Sequence, residues 1–284
     1  MDASADPLIP LARWLNEAVA QLGAGSGLGL DGTAAAVTRV CEAVQTGLGL
    51  LPTGVLVGLF AALGWWRRGW RLGGFAAVAL LLVFGLGFGP APRTTLAQVL
   101  TATAATLALG VPLGILLGRH PRLARAARPL LDFMQTMPAF VYLIPATMLF
   151  GLGLAPALLA TVIFSLPPVT RLTAMGIQQV GRDVVEAAGT LGATRWQVLT
   201  RVQLPNALPS ILLGISQSIM MALSMVIIAS MVGAGGLGNE VLSSIQRLDI
   251  GQGLASGLSI VLLAIVIDRL AESFAPAVLQ GPAR

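Results

Sequence analysis

Seven stretches of this chain are apolar for long enough to cross a lipid bilayer, and nothing else in the sequence limits its fold so strongly. A spanning helix needs about 20 predominantly apolar residues. Such runs occur at 47–66, 72–92, 94–118, 134–153, 155–170, 207–232 and 250–268. In hydrocarbon every backbone N–H and C=O must find its partner within the protein, so runs of this kind fold as helices. The predicted class is an all-α membrane protein with about seven transmembrane helices. Composition agrees. The chain is 56% hydrophobic and only 10% charged, against about 25% charged residues in a soluble domain. Pro52 inside the first run marks a place where a helix starts afresh. The fifth run is short and ends in Pro167-Pro168, which predicts a helix end there.

The charges orient these helices. All 17 basic residues are arginine, and there is no lysine. Arg67, Arg68 and Arg71 lie between the first and second runs. Arg119, Arg122, Arg125 and Arg128 follow the third, and Arg171, Arg182, Arg195 and Arg201 separate the fifth from the sixth. Arg269 and Arg284 follow the seventh. These connections share one face, and the positive-inside rule makes it cytoplasmic. The N-terminus is therefore predicted outside and the C-terminus inside. Arginines placed this way encode topology, so no nucleic-acid partner is expected. The missing lysine also removes the P-loop, whose Lys must reach the nucleotide phosphates. If ATP drives this protein, a partner binds the ATP. A single cysteine, Cys41, and a single histidine, His120, exclude an internal disulfide and a clustered metal site. No catalytic residue, metal or cofactor of its own is expected.

Residues 1–46 are more polar. The opening MDASADPLIP is acidic and does not read as a signal peptide. Trp14, Leu15, Ala18, Val19 and Leu22 share one helical face, as do Val37, Val40, Val44 and Leu48. The glycine-rich segment 23–32 between them reads as a linker. The predicted organisation is an extracytoplasmic tail (1–46) of two amphipathic helices on the membrane surface. Two transmembrane helices (47–92), a core (93–270) and a short cytoplasmic tail (271–284) follow.

The connection from Arg171 to Asn206 is long enough to predict structure of its own. Asp183 and Glu186 have the spacing of a capping box, as do Thr194 and Gln197. Gly192 suits a helix end that needs a left-handed residue, and Pro205 predicts a second stop. The local chemistry thus gives helix, glycine corner, helix on the cytoplasmic face. A plain surface hairpin satisfies the same signals.

The residues of this hairpin resemble the cytoplasmic EAA loop of ABC importer permeases. The pattern is Glu186-Ala187-Ala188, three residues, Gly192, nine residues, then Val202, Gln203, Leu204-Pro205. Only Val202 departs from it, replacing isoleucine. RPLLDFMQTMPAFVYLIP (128–145), FSLPPVTRLT (164–173), MALSMVIIASMVGAGGLG (221–238) and LAIVIDRL (263–270) are similar to the glycine betaine/proline betaine/choline branch of that family. The resemblance implies a type I importer permease fold with coupling helices at 182–205. It implies two copies of an ATPase subunit that bind ATP and Mg²⁺, an extracytoplasmic solute-binding protein, a homodimer of this chain, and a bacterial inner-membrane location. Glu186, Ala187, Ala188, Gly192, Leu204 and Pro205 become the ATPase-coupling residues.

The membrane interior offers few polar groups. Met137-Pro138, Ile144-Pro145 and Pro167-Pro168 predict helix breaks, Gly233–Gly238 a flexible outer turn, and Ser224, Ala229 and Ser230 close helix approach. A quaternary ammonium group favours aromatic faces, which makes Tyr142 a pathway candidate together with Met220, Met221, Ser224 and Met225. Permeases for methionine or another amino acid share the EAA loop and form the alternative cargo class. A sodium-coupled secondary carrier would need no ATPase and leaves that loop without a purpose.

Overall fold

The computed structural model describes residues 30–274 together with Trp14 and Glu17. Apart from Trp14 and Glu17, the first predicted tail helix lies outside the described residues, as does most of the glycine-rich linker. Every regular element among the described residues is helical. Helix α1 (Leu30–Leu50) already includes Gly32, so the helix begins inside the segment read as linker. Leu51 and Pro52 separate it from α2 (Thr53–Arg68), which is bent away by 106°. Arg93 clamps this bend. It donates to the Leu51 carbonyl (3.2 Å) and the Thr53 hydroxyl (2.9 Å), with its guanidinium 5.7 Å from the Phe84 ring centre. The inward face of α1 carries Val37, Cys41, Val44 and Leu48 against Ala97, Ala102, Leu158 and Val162. Val40, expected on that face, points out instead. Thus α1 packs on the core and does not float beside it.

A one-residue turn at Gly69 leads to α3 (Trp70–Gly85). At 1.5 Å per residue, the 16 residues of α3 reach about 24 Å, short of the about 30 Å hydrocarbon core. Four helical runs among the described residues are long and apolar enough to span outright. They are α4 (Ala91–Arg119), α7 (Leu154–Gln178), the run Arg195–Val232 that contains α10 (Leu204–Ala229), and α12 (Ile250–Ser273). The predicted fourth span is a bent pair. Helix α5 (Pro121–Thr136) turns by 108° through a 3₁₀ turn (Ala139–Tyr142) into α6 (Leu143–Phe150). Counting each bent pair as one span gives six, with α3 as a shorter apolar helix beside them.

Pro138 makes the bend, but Pro145 and Pro167-Pro168 break nothing. Pro145 sits in the first turn of α6, where its missing N–H has no partner to lose. Pro167 and Pro168 lie within continuous α7 and withdraw the donors to the Ile163 and Phe164 carbonyls. A buried hydroxyl cluster lies beside this segment. Ser165 donates to the Thr161 carbonyl (2.7 Å), Ser218 to the Ser165 carbonyl (2.8 Å), and Thr106 and Ser165 pair at 2.8 Å. These bonds tie α7 to α4 and α10 beside the two prolines, and none of them goes to the Ile163 or Phe164 carbonyl. Because α7 is continuous, Arg171 belongs to it, and the connection to α10 is shorter than the 171–206 predicted.

Helix α7 is the most enclosed of the four spanning runs, and glycine makes that possible. A Cβ on Gly110 would stand 2.4 Å from Val169 Cγ1. On Gly114 it would stand 2.7 Å from the Thr170 carbonyl, and on Gly118 2.9 Å from Ile177 Cβ. These three glycines recur every four residues along α4 and let it meet α7 backbone to side chain. Gly214 repeats the device between α10 and α7, with a Cβ position 2.9 Å from Val169 Cα.

At the far end of α4 the glycine-rich turn is pinned and not free. Gln98 donates to the Ala234 carbonyl (2.6 Å), the Leu237 N–H to the Thr95 hydroxyl (2.8 Å), and the Gly153 N–H to the Val232 carbonyl (2.8 Å). Gly236 has φ +78° and a Cβ position 2.6 Å from the Thr95 hydroxyl, so only glycine fits. An amphipathic helix, α11 (Leu237–Arg247), then leads to α12.

Two glycine-to-alanine changes separate packing from helix propensity. Gly114→Ala is expected to destabilise by about 1–3 kcal/mol, the usual cost of overpacking. Gly74→Ala, in α3 with nothing within 4 Å of the added methyl, should be neutral or gain up to about 1 kcal/mol. Thermal unfolding of the two purified variants checks the contrast; equal midpoints would remove the glycine stripe as the organising contact.

Candidate functional site

The segment between α7 and α10 is a built corner. Helix α8 (Arg182–Thr190) has Gly181 as its N-cap, and no side chain caps it. The predicted Asp183–Glu186 box does not form, because the extended Gly181 (φ −52°, ψ 133°) lets the helix start two residues earlier. Asp183 falls in the first turn, where its charge suits the helix dipole. At the other end the Ala193 N–H donates to the Ala188 carbonyl (3.1 Å) and the Gly192 N–H to the Gly189 carbonyl (3.0 Å). With Gly192 at φ +81°, this is a Schellman ending. The Thr194–Gln197 box forms in both directions, at 2.8 and 3.3 Å.

Helix α9 (Arg195–Val198) does not stop at Pro205. It widens into a π turn (Leu199–Gln203) and runs on into α10. The wide turn accommodates a proline that lacks an N–H, and the Asn206 side chain donates to the Val202 carbonyl (2.7 Å). Leu204 and Pro205 therefore sit at the junction of a single 38-residue helical run, Arg195–Val232.

This corner has two faces. Val185, Gly189, Ala193 and Val198 turn toward Gly118 and Arg119 at the end of α4, around a cavity of about 350 Å³. Leu199 is buried, and Leu204 packs on Ile177, Ala207 and Ile211. The other face is open. Glu186, Ala187 and Gly192 are exposed and Ala188 is half-buried. Around them Val184, Leu191 and Trp196 are 46%, 88% and 68% exposed. Three exposed apolar side chains thus surround the Glu186-Ala187-Ala188 segment.

The pathway candidates do not share one environment. Tyr142 and Met225 are buried together with Leu143, Ala146 and Ala160, and the Tyr142 ring meets Phe164 edge-on at 5.7 Å. The Tyr142 hydroxyl donates to the Met134 carbonyl. Pro138 would be the helical donor to that carbonyl and has no N–H, so Tyr142 supplies what the proline withholds. Met220 and Ser224 lie on the exposed face of α10, and Met221 is half-buried beside them. Of the five, only these three are not buried.

Residues 110–280 match the family described as binding-protein-dependent transport system inner membrane component. The chain belongs to this family. The permease is 43% identical over 94% of its length to the glycine betaine transport system permease protein OpuAB of Bacillus subtilis, covering 95% of that protein. It is 44% identical over 94% of its length to the glycine betaine/proline betaine permease ProW of Escherichia coli, covering 75% of it. A likeness to the MetNI methionine ABC transporter, with TM-score 0.56 and 21% identity, covers 64% of this permease and 94% of that chain. It establishes the fold of type I importer permeases.

Several residues of weight escaped the sequence reading. The Gly110, Gly114 and Gly118 spacing was available as a small-xxx-small signal in an apolar helix. The Asp132–Arg171 ion pair (2.9 Å), with Arg171 also donating to Gln135 (2.9 Å), joins α5 to α7 and left no pattern in the sequence. Nor did the Arg93 clamp. Replacing Tyr142 by Phe keeps the ring but strands the Met134 carbonyl. A loss of about 1–3 kcal/mol is expected, read as a lower unfolding temperature of the permease; an unchanged temperature would show that the hydroxyl does not hold the bend.

Proposed function

We propose that this permease is the membrane-spanning subunit of an ATP-driven importer that carries a quaternary-ammonium osmoprotectant, glycine betaine first, into the cytoplasm. The observation that carries this reading is the 43% identity over 94% of the chain with a glycine betaine permease. Proline betaine and choline belong to the same chemical class. An amino-acid cargo has weaker support, since the methionine transporter is only 21% identical.

The coupling surface is the open face of α8 and α9. Glu186, Ala187 and Ala188 seat against a separate ATPase subunit, and Gly192 holds the corner between the two short helices. Because α9 is continuous with α10 through Leu204 and Pro205, a push on that face moves a whole spanning helix. One chain offers one such corner, so a homodimer served by two ATPase subunits, each binding ATP and Mg²⁺, completes the machine. A binding protein delivers solute from outside, and Tyr142, Met220, Met221, Ser224 and Met225 border its route. The arginine-bearing ends face the cytoplasm, with the N-terminus outside and the C-terminus inside. Residues 1–46 are then the extracytoplasmic tail, 47–92 the accessory helices, 93–270 the translocating core and 271–284 the cytoplasmic tail.

Uptake of labelled glycine betaine at high osmolarity tests this reading in a host lacking its own betaine systems. Wild-type protein, supplied with its ATPase and binding protein, should restore uptake. Gly192→Pro should reduce it to background, since proline cannot adopt φ +81°, while membrane insertion stays normal. Glu186→Lys should behave likewise. Normal uptake by both variants would remove the coupling role.

A further inference from the structure

A groove of about 480 Å³ runs between α2, α4, α10 and α12, within the about 300–1,000 Å³ of small-ligand sites. Phe60 and Leu63 from α2, Leu107 from α4, Ile215 from α10, and Leu270 and Phe274 at the end of α12 line it. Thr103 is its sole polar lining residue, and the Thr103 hydroxyl is buried without a partner. Nothing along this wall answers a polar ligand.

The groove ends at a cationic turn. Phe274 closes it, and the Arg67 guanidinium stands 4.7 Å from the Phe274 ring centre and 5.9 Å from that of Trp66. Phe60, Leu63 and Arg67 follow at helical spacing on one face of α2, so the apolar wall leads straight to the charge. Arg67 also donates to the Ser273 carbonyl (3.2 Å). Arg68 pairs with Glu272 (3.6 Å), which also takes Arg269 (3.1 Å). Arg71 lies 5.8 Å from the Trp70 ring centre. Among the described residues this leaves Arg67 and Arg71 without a carboxylate partner. Trp65, Trp66 and Trp70 around them are 66%, 77% and 69% exposed, the placing of side chains that sit at headgroup depth.

We propose that this groove and turn form one site for an anionic phospholipid, with an acyl chain along the apolar wall and the phosphate at Arg67 and Arg71. An amphiphile with one charged end matches a groove that is apolar throughout and cationic at one mouth. A bound lipid would join α2 to α12 where Arg67 and Phe274 already touch. The site depends only on the membrane placement of the chain and not on its cargo.

The test uses the full-length permease purified in detergent, with phosphatidylglycerol or phosphatidylcholine added and retained lipid read by native mass spectrometry. One phosphatidylglycerol should be held about tenfold or more over phosphatidylcholine. Arg71→Gln, which disturbs no contact but the Trp70 stacking, should lower that preference alone. Arg67→Gln with Arg71→Gln should abolish it. Leu63→Trp should displace both lipids with the arginines intact. Equal retention of the two lipids, or an unchanged preference in Arg71→Gln and in the double variant, overturns the proposal. So does a disulfide between copies at Leu63→Cys in a Cys41→Ser background, which would give the groove to a second copy of the chain.

Discussion

The close contact of α4 with α7 is the interaction on which the rest of the structure depends. Gly110, Gly114 and Gly118 remove the side chains that would hold the two helices apart. Lipid offers no hydrophobic gain from bringing helices together, so packing of this closeness and interhelical hydrogen bonds must do it. The same approach brings Thr106 to Ser165, and Ser218 of α10 reaches the Ser165 carbonyl. Enclosed between those neighbours, α7 runs on through Pro167-Pro168 without breaking. An unbroken α7 in turn places Arg171 opposite Asp132 and lets α8 begin beside the end of α4.

From that frame the 182–205 corner acquires its two faces. Its inner side is fixed to the end of α4 and to Ile177, Ala207 and Ile211. Its outer side presents Glu186, Ala187, Leu191 and Trp196 to whatever docks there. A lever needs a rigid arm and a free face, and the Schellman ending, the capping box and the continuous run into α10 provide them. The membership of the family and the proposed coupling role thus meet in one piece of backbone geometry.

Much of this was legible in the sequence, and the misses share a cause. Gly192 and Thr194 were readable because their roles rest on chemistry within five residues. The Glu186-Ala187-Ala188…Gly192…Leu204-Pro205 spacing was readable through its resemblance to the EAA loop. Pro167-Pro168 and Pro205 misled because proline's local rule was overridden, by the close packing of α7 against α4 and α10 in one case and by a π turn in the other. The break at Met137-Pro138 was legible from proline's missing N–H, whereas the Tyr142 hydroxyl that holds the bend from four residues on was not. The expected mobility of Gly233–Gly238 gave way to Gln98 and Thr95, far away in sequence. Apolar length alone counted α3 as a span, although its ends are set by Gly69 and by the glycines after residue 85.

The central claim is that solute arriving from outside governs ATP hydrolysis through this permease. The most direct measurement is ATP hydrolysis by proteoliposomes that hold the permease with its ATPase partner, on addition of binding protein with and without glycine betaine. Hydrolysis should rise several-fold with the betaine-loaded binding protein and stay basal with the empty one. A rate indifferent to betaine, or raised equally by methionine-loaded binding protein, would contradict the account.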